Sequence, residues 1–442
     1  MASSTAQAVT GYRGEVVYFT EDPAISTEAL QHHTDGVLYV QDGRIVASGD
    51  FNALSSHYPT AEIVDYRGHV ITPGFVDTHV HYPQTEMIGA YGEQLLKWLN
   101  TYTFPTEMKF ADKAHAEKIA KRFLSLLIEN GTTTALVFAT VHPVSVDAFF
   151  EQAQRLNMRM ISGKVLMDRN TPEGLRDTPE SAYTDSKALL EKWHNKGRLS
   201  YAVTPRFAPT SSEEELNVAK RLIDEYPGIY MHTHLAENHQ EVAWVQSLFP
   251  QSRSYLDVYD QHGLVNDRAI FAHSIHIDDT DRSVLHDHNS AVAFCPSSNL
   301  FLGSGLFNLD EARKHKLKVG LGTDVGAGTS FSPLMTMGDA YKVTQLRKAY
   351  TDNPDSVSSL NALENLYLAT LGGARALSLE DKIGSFKPGI EADFVVLDLQ
   401  STPVLKQRTE HSTTLDDKLF ALETLGDDRA IAHTYVMGHK QK

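Results

Sequence analysis

Five side chains define the chemistry open to this sequence: His79, His81, His234, His273 and Asp324. His79 and His81 stand two residues apart at the end of an apolar run, VITPGFVDTHVH. On a strand, positions i and i+2 face the same way, so these two imidazoles share a face. Neutral imidazole nitrogen suits zinc or iron, and such a metal takes three or four protein ligands. Two solvated histidines on an edge strand would need no further partners, yet partners of the right type recur downstream. His234 lies in HTHLAE, His273 in AHSIH and Asp324 in GTDVG, each at the end of a strand-like run. His79, His81, His234 and Asp324 are the expected ligands, with one position left for water. His273 is expected beside that water, aimed at the nucleophile. His232 shares a strand face with His234, one layer deeper, and competes with it as a ligand. A core or polar-layer role is the expected one for His232.

Substrate-handling residues are expected around this cluster. Glu237, three residues after His234, can reach both water and substrate as a proton shuttle. The same spacing also suits a surface glutamate opening the next helix. Arg206 and Phe207 end another strand. The arginine could bind a carbonyl or anionic group and the ring could wall the pocket, or the arginine could form a rim salt bridge. Gln84 offers an amide that both donates and accepts, useful against a purine edge. Asp168 is a weaker candidate for the pocket lining. Lys164, inside a strand, is expected to pair with an inner carboxylate. Carboxylation and bridging of two metals is the alternative. Gly303, Gly305, Gly326 and Gly328 suit close backbone approach, since no GxxxxGK[ST] phosphate loop occurs.

These residues need a scaffold that brings strand ends together. Residues 11–69 read as β structure, with Asp42-Gly43 a strong hairpin signal. Val70–His81 reads as one buried strand. Residues 94–103 have helical spacing closed by Pro105, and Trp98 and Tyr102 of that helix could cover a pocket. Helix and strand patterns then alternate to about residue 326. Strands are expected within 132–141, 159–168, 199–209, 229–237, 269–277, 290–299 and 318–326. With the opening strand these make eight. Alternation implies a parallel sheet, and eight units fit a (β/α)8 barrel, an α/β fold with its site at the C-terminal strand ends. An open doubly wound sheet would not gather polar residues at nearly every strand end. The tail, from residue 382, returns to short β runs that can join the N-terminal ones in a small β-sandwich. The expected division is therefore 1–72 and 382–442 as the two parts of the sandwich, and 73–381 as the barrel.

Composition narrows the partners. The net charge is −16, which argues against nonspecific binding to nucleic acid or anionic membrane. Cys295 is the single cysteine, so no intrachain disulfide is possible. The N-terminus has no apolar leader and no long apolar run occurs, so a cytoplasmic protein is expected.

The motifs together resemble the amidohydrolase superfamily. PGFVDTHVH, HTHLAE, AHS and GTD match its metal constellation, and FKPGIEADFVVLDL is similar to its C-terminal sandwich strand. Within it, VDTHVHYPQ, LLKWLNTYTFPTE, SGKVLMDRN, TPRFAPTS, HTHLAEN and GTDVGAGTSFS resemble the branch that deaminates guanine. The departures are His232 beside His234 and Ala327 where glycine is frequent. The resemblance implies one zinc per chain on His79, His81, His234 and Asp324. It implies that guanine is held by His81–Gln84 with Arg206, Phe207, His234, Glu237 and Asp324. It assigns Glu237 as proton shuttle and His273 with Asp324 as activators of water. A mononuclear site and a homodimer are further implications. Competing expectations are deamination or dechlorination of another heterocycle, such as a triazine or pterin, and a metal-free scaffold.

Overall fold

The computed structural model describes residues 8–442; the first seven residues of the expected N-terminal segment lie outside them. Four strands open the chain: β1 (Thr10–Phe19), β2 (Leu30–Gln41), β3 (Arg44–Asp50) and β4 (Glu62–Pro73). Asp42 and Gly43 both have positive φ, 51° and 74°, the tight hairpin turn that an Asp-Gly pair favours. The barrel strands follow: β5 (Phe75–His81), β6 (Thr132–Phe138), β7 (Arg159–Gly163), its short continuation β8 (Val165–Leu166), β9 (Ser200–Pro205), β10 (Tyr230–Leu235), β11 (Ala269–His273), β12 (Ala291–Phe294) and β13 (Lys318–Leu321). The chain closes with β14 (Phe394–Leu397), β15 (Ile431–Val436) and β16 (His439–Lys440).

Two sheets result. β5, β6, β7, β9, β10, β11, β12 and β13 lie side by side in parallel, with β8 on β9. The two ends of this sheet meet just above β13. The Asp324 N–H donates to the His79 carbonyl at 2.9 Å, and the His81 N–H donates to the Val325 carbonyl at 2.9 Å. The seam of the (β/α)8 barrel therefore runs through three of the candidate ligands. The second sheet, in the order β16-β15-β14-β4-β1-β2-β3, is built from both chain ends. β14 pairs antiparallel with β4 and so ties the C-terminal segment to the N-terminal one.

The stretch Val70–His81 is two strands rather than one. β4 ends at Pro73 in the small sheet and β5 starts at Phe75 in the barrel. Gly74 makes the crossing because a Cβ there would sit 2.2 Å from the Thr133 hydroxyl. Residues 94–103 also differ from expectation, since Pro105 does not close the helix. Helical turns run on from Leu95 to Ala111, and Pro105 sits in the first turn of the Phe104–Glu107 segment, where no N–H is required of it.

The underside of the barrel is joined to the small sheet by buried charge. Arg159 and Arg198, on the N-terminal side of β7 and β9, both donate to Glu391, with Arg159 Nε at 2.8 Å and Arg198 Nη2 at 2.7 Å. Arg198 also pairs with Asp393. All four side chains are buried. Removing one partner of such a cluster leaves uncompensated buried charge. Glu391→Ala should therefore cost about 3–5 kcal/mol of stability in urea unfolding. A cost below ~1 kcal/mol would show that the cluster is solvated in practice.

Candidate active site

Side-chain parity explains which residues reach the barrel mouth. On β10, Tyr230 packs in the barrel interior while Met231 and Leu235 pack outward against helices. His232 and His234 share the inward parity of Tyr230. On β9, Ala202 faces inward, and Arg206 follows it at the same parity. β5 is different. Phe75 packs outward and Val76 inward, so an unbroken strand would turn His79 and His81 outward with Phe75. Between Asp77 and Val80, β5 takes three steps while β6 takes two, from Ala135 to Val137. This bulge exchanges the faces, sending Val80 to the outer core and both histidines inward. At the end of β11, His273 also has outward parity, but a φ of 68° re-aims it into the mouth. Asp324, with a φ of 49°, is similarly held in the left-handed region. Backbone conformations of this kind gather at functional sites.

The ring nitrogens converge. His79 Nε2 and His81 Nε2 are 3.2 Å apart, as are His81 Nε2 and His234 Nε2. Asp324 Oδ1 lies 3.2 Å from His79 Nε2 and 3.3 Å from His81 Nε2. Burial pushes the imidazoles toward the neutral form, His81 down to about 3. Burial opposes ionisation of Asp324, but its histidine neighbours outweigh this and hold the carboxyl well below the usual range. Neutral imidazoles and an ionised carboxylate are the protonation states a metal requires. The rings are held from behind. His234 Nδ1 donates to the Arg206 carbonyl at 2.7 Å, which leaves its Nε2 lone pair facing the cluster. His79 Nδ1 lies 2.8 Å from His232 Nε2, and a metal on His79 Nε2 requires His79 to be the donor of that pair, so the donor set fits a single cation. His232 thus backs His79 and does not share the convergence point.

The remaining candidates surround this point. A pocket lined by His81, Gln84, Arg206, Phe207, His234, Glu237, His273 and Asp324 opens at this point. His79 lies beneath, fully buried. Glu237 is buried, accepts from the Ser304 hydroxyl at 2.9 Å and lies 3.4 Å from His273 Nε2. Burial and the charge on Asp324 push its carboxyl up to about 8, against the lowering effect of Ser304. His273 Nδ1 donates to Asn299 Oδ1 at 2.8 Å, which leaves Nε2 as an acceptor toward the pocket.

Other expectations are corrected or resolved. Asp168 does not line the pocket; it accepts from the Ser212 N–H at 2.7 Å, at the start of the helix Glu213–Glu225. Lys164 pairs with Asp177 and is outside the pocket, so the two-metal alternative has no support from its placement. Of the covering helix, Trp98 lines the pocket with Leu95 and Leu99, whereas Tyr102 does not. Residues missed in the sequence are Glu107, Glu241, Asn299 and Ser304. Glu241 accepts from the Glu237 and Asn238 N–H groups at 2.9 and 3.0 Å and so fixes the turn that carries Glu237. The segment TYTFPTE held the signal for Glu107, an acid beside apolar positions.

Comparison with known proteins matches this geometry. The model of the amidohydrolase family fits residues 70–440. The chain belongs to the amidohydrolase family. Within that family, a guanine deaminase of Escherichia coli strain K12 is 52% identical over 435 residues, covering 98% of this chain and 97% of that protein. A solved structure of an E. coli guanine deaminase superposes with a TM-score of 0.94 at 51% identity, covering 98% of this chain and 99% of the other. The fold is also shared by a guanine deaminase from C. acetobutylicum, solved with bound guanine in the active site. Its TM-score is 0.89 at 29% identity, with 98% and 99% of the two chains covered.

Proposed function

We propose that the protein hydrolyses the exocyclic amine of guanine, giving xanthine and ammonia. The observation that carries this reading is one pocket where a cation-binding cluster, the buried carboxyl of Glu237 and the donors of Arg206 and Gln84 face the same space. Full-length similarity to guanine deaminases supports the choice of purine. The ligands are His79, His81, His234 and Asp324, and the ion is zinc, one per chain. When bound, zinc would act as a Lewis acid that makes water nucleophilic at neutral pH.

The chain's own residues do the rest. His273 Nε2 and Asp324 accept the proton of the attacking water. Glu237 protonates N3, which draws electron density from C2 and opens it to addition. After the C2–O bond forms, the ionised Glu237 takes the proton of the new C2 hydroxyl and passes it to the amine; the C2–N bond breaks, ammonia leaves with C2 now a carbonyl, and the first water proton returns from His273 to Glu237, 3.4 Å away. Arg206 and Gln84 hold the base by its polar edge, Phe207 and Trp98 wall it, and the helical cover over the pocket excludes water. A homodimer in the cytoplasm, acting on a free base and on neither nucleic acid nor membrane, is part of the same proposal.

The test is loss of guanine absorbance with ammonia release, on purified protein of known zinc content. Turnover at stoichiometric zinc supports the reading. Zinc-loaded protein without turnover would overturn the guanine assignment, and triazines and pterins would be assayed next.

A further inference from the structure

Glu107 is fully buried, yet it belongs to the helical cover rather than to the barrel. Its two oxygens do different things. Oε2 accepts from Arg206 Nη1 at 2.7 Å and Oε1 accepts from Gln84 Nε2 at 3.2 Å. On its other side, the Gln84 Oε1 accepts from the Gly326 N–H at 3.1 Å. A carboxylate can only accept and a backbone N–H can only donate, so the orientation of the Gln84 amide is forced. Its carbonyl is turned to Gly326, and the free N–H is what remains for the pocket. Arg206 has no acceptor in any state. The Gln84 amide both donates, to Glu107, and accepts, from Gly326, and what the recognition wall of Arg206 and Gln84 turns to the pocket is donors.

We propose that Glu107 is a positioning residue that sets specificity by locking this wall in its donor-only state. The inference rests on the guanine reading of the pocket. A donor-only wall selects purines with a carbonyl oxygen at position 6, next to the N7 acceptor. A purine with an amine at position 6 brings N–H against N–H, and a site built for hydrogen bonds rejects such a mismatch strongly. 2,6-Diaminopurine tests the effect, because it keeps the reacting amine at C2 while C6 changes from acceptor to donor and N1 from donor to acceptor.

The experiment compares kcat and KM for guanine and 2,6-diaminopurine in wild type, Glu107→Gln and Glu107→Asp. In Glu107→Gln the new amide can still accept from Arg206, but its NH2 meets that of Gln84. The Gln84 amide then keeps only one of the two contacts that fix it, that from the Gly326 N–H, and no longer holds its donor on the pocket. KM for guanine should rise about 10-fold with a smaller change in kcat, and the preference for guanine should fall by about 10-fold or more. Glu107→Asp, which keeps the acceptor, should restore most of the preference. A loss of activity equal for both substrates would mean a structural role and overturn the proposal. Should Glu107→Gln not fold, Gln84→Met removes the donor and leaves the Glu107–Arg206 pair intact; an unchanged preference there would also overturn it. Calorimetric binding of hypoxanthine and adenine separates this inference from the guanine assignment. Wild type should bind the 6-oxo base and not the 6-amino base, with the gap narrowed in Glu107→Gln, even if guanine is not turned over. Equal binding of both bases by wild type would sink the inference alone.

Discussion

Glu237→Gln lowers kcat for guanine by about 10²–10⁴-fold, with KM, metal content and thermal stability little changed. The carboxyl is buried between Ser304 and His273, and its position at the turn is set by Glu241. With its pKa raised to about 8 by burial and by Asp324, it holds a proton at neutral pH and can give it to a ring nitrogen. Glutamine fills the same volume and still accepts from the Ser304 hydroxyl, so the fold has no reason to respond. What it lacks is an acidic proton that can be released and regained within one turnover. A kcat within a few-fold of wild type would remove Glu237 from the proton path, leaving His273 as the next residue to substitute.

How much of this site the sequence discloses depends on strand parity. Arg206 and His234 are legible because β9 and β10 run without a break to the mouth, so alternation alone points both side chains inward. His79 and His81 are legible as a pair, but their direction is not. Phe75, Val76 and Val80 give no consistent alternation, and the bulge that resolves them depends on how β5 registers against β6. His273 needs a left-handed backbone at the strand end, which its sequence does not announce. Asp324 is placed by the barrel seam, a contact between the first and last strands, more than 240 residues apart in the chain.

Glu107 and Asn299 show a second limit. Each acts on a residue far away in sequence, Glu107 on Arg206 and Asn299 on His273, and even where the segment stands out, as TYTFPTE does, its spacing does not name the partner. Orienting groups of this sort are defined by which hydrogen bond they complete. Alternating strand and helix patterns were enough for the barrel, since each strand is a short apolar run between polar helices. The pairing of β14 with β4 was less accessible: the similar style of the two terminal segments suggested a shared domain, but register and neighbour order are tertiary facts. Pro105 does not end the helical run because the wider turn Leu99–Thr103 precedes it, with the Phe104 N–H bonded to the Leu99 carbonyl, and the backbone continues through the proline to Ala111.

Stripping the metal should abolish turnover, and zinc should restore it. Three imidazole nitrogens and a carboxylate oxygen lie within 3.2–3.3 Å along the contacts that join them, too close to be filled by substrate and well matched to one cation. Binding to the folded chain alone stabilises it by mass action, by about 4 kcal/mol when free zinc exceeds its dissociation constant 1,000-fold. Chelated protein should therefore melt lower as well as being inactive, and both properties should return together on titration with zinc. His234→Ala and His232→Ala separate a ligand from its support. The first removes a donor atom, so zinc retention and turnover should both be lost. The second removes the acceptor behind His79, so zinc should still bind, about 10–100-fold more weakly. Turnover that persists with no detectable metal would exclude this centre from the reaction. Equal zinc loss in the two variants would instead place His232 among the ligands, against the 2.8 Å contact that sets it behind His79.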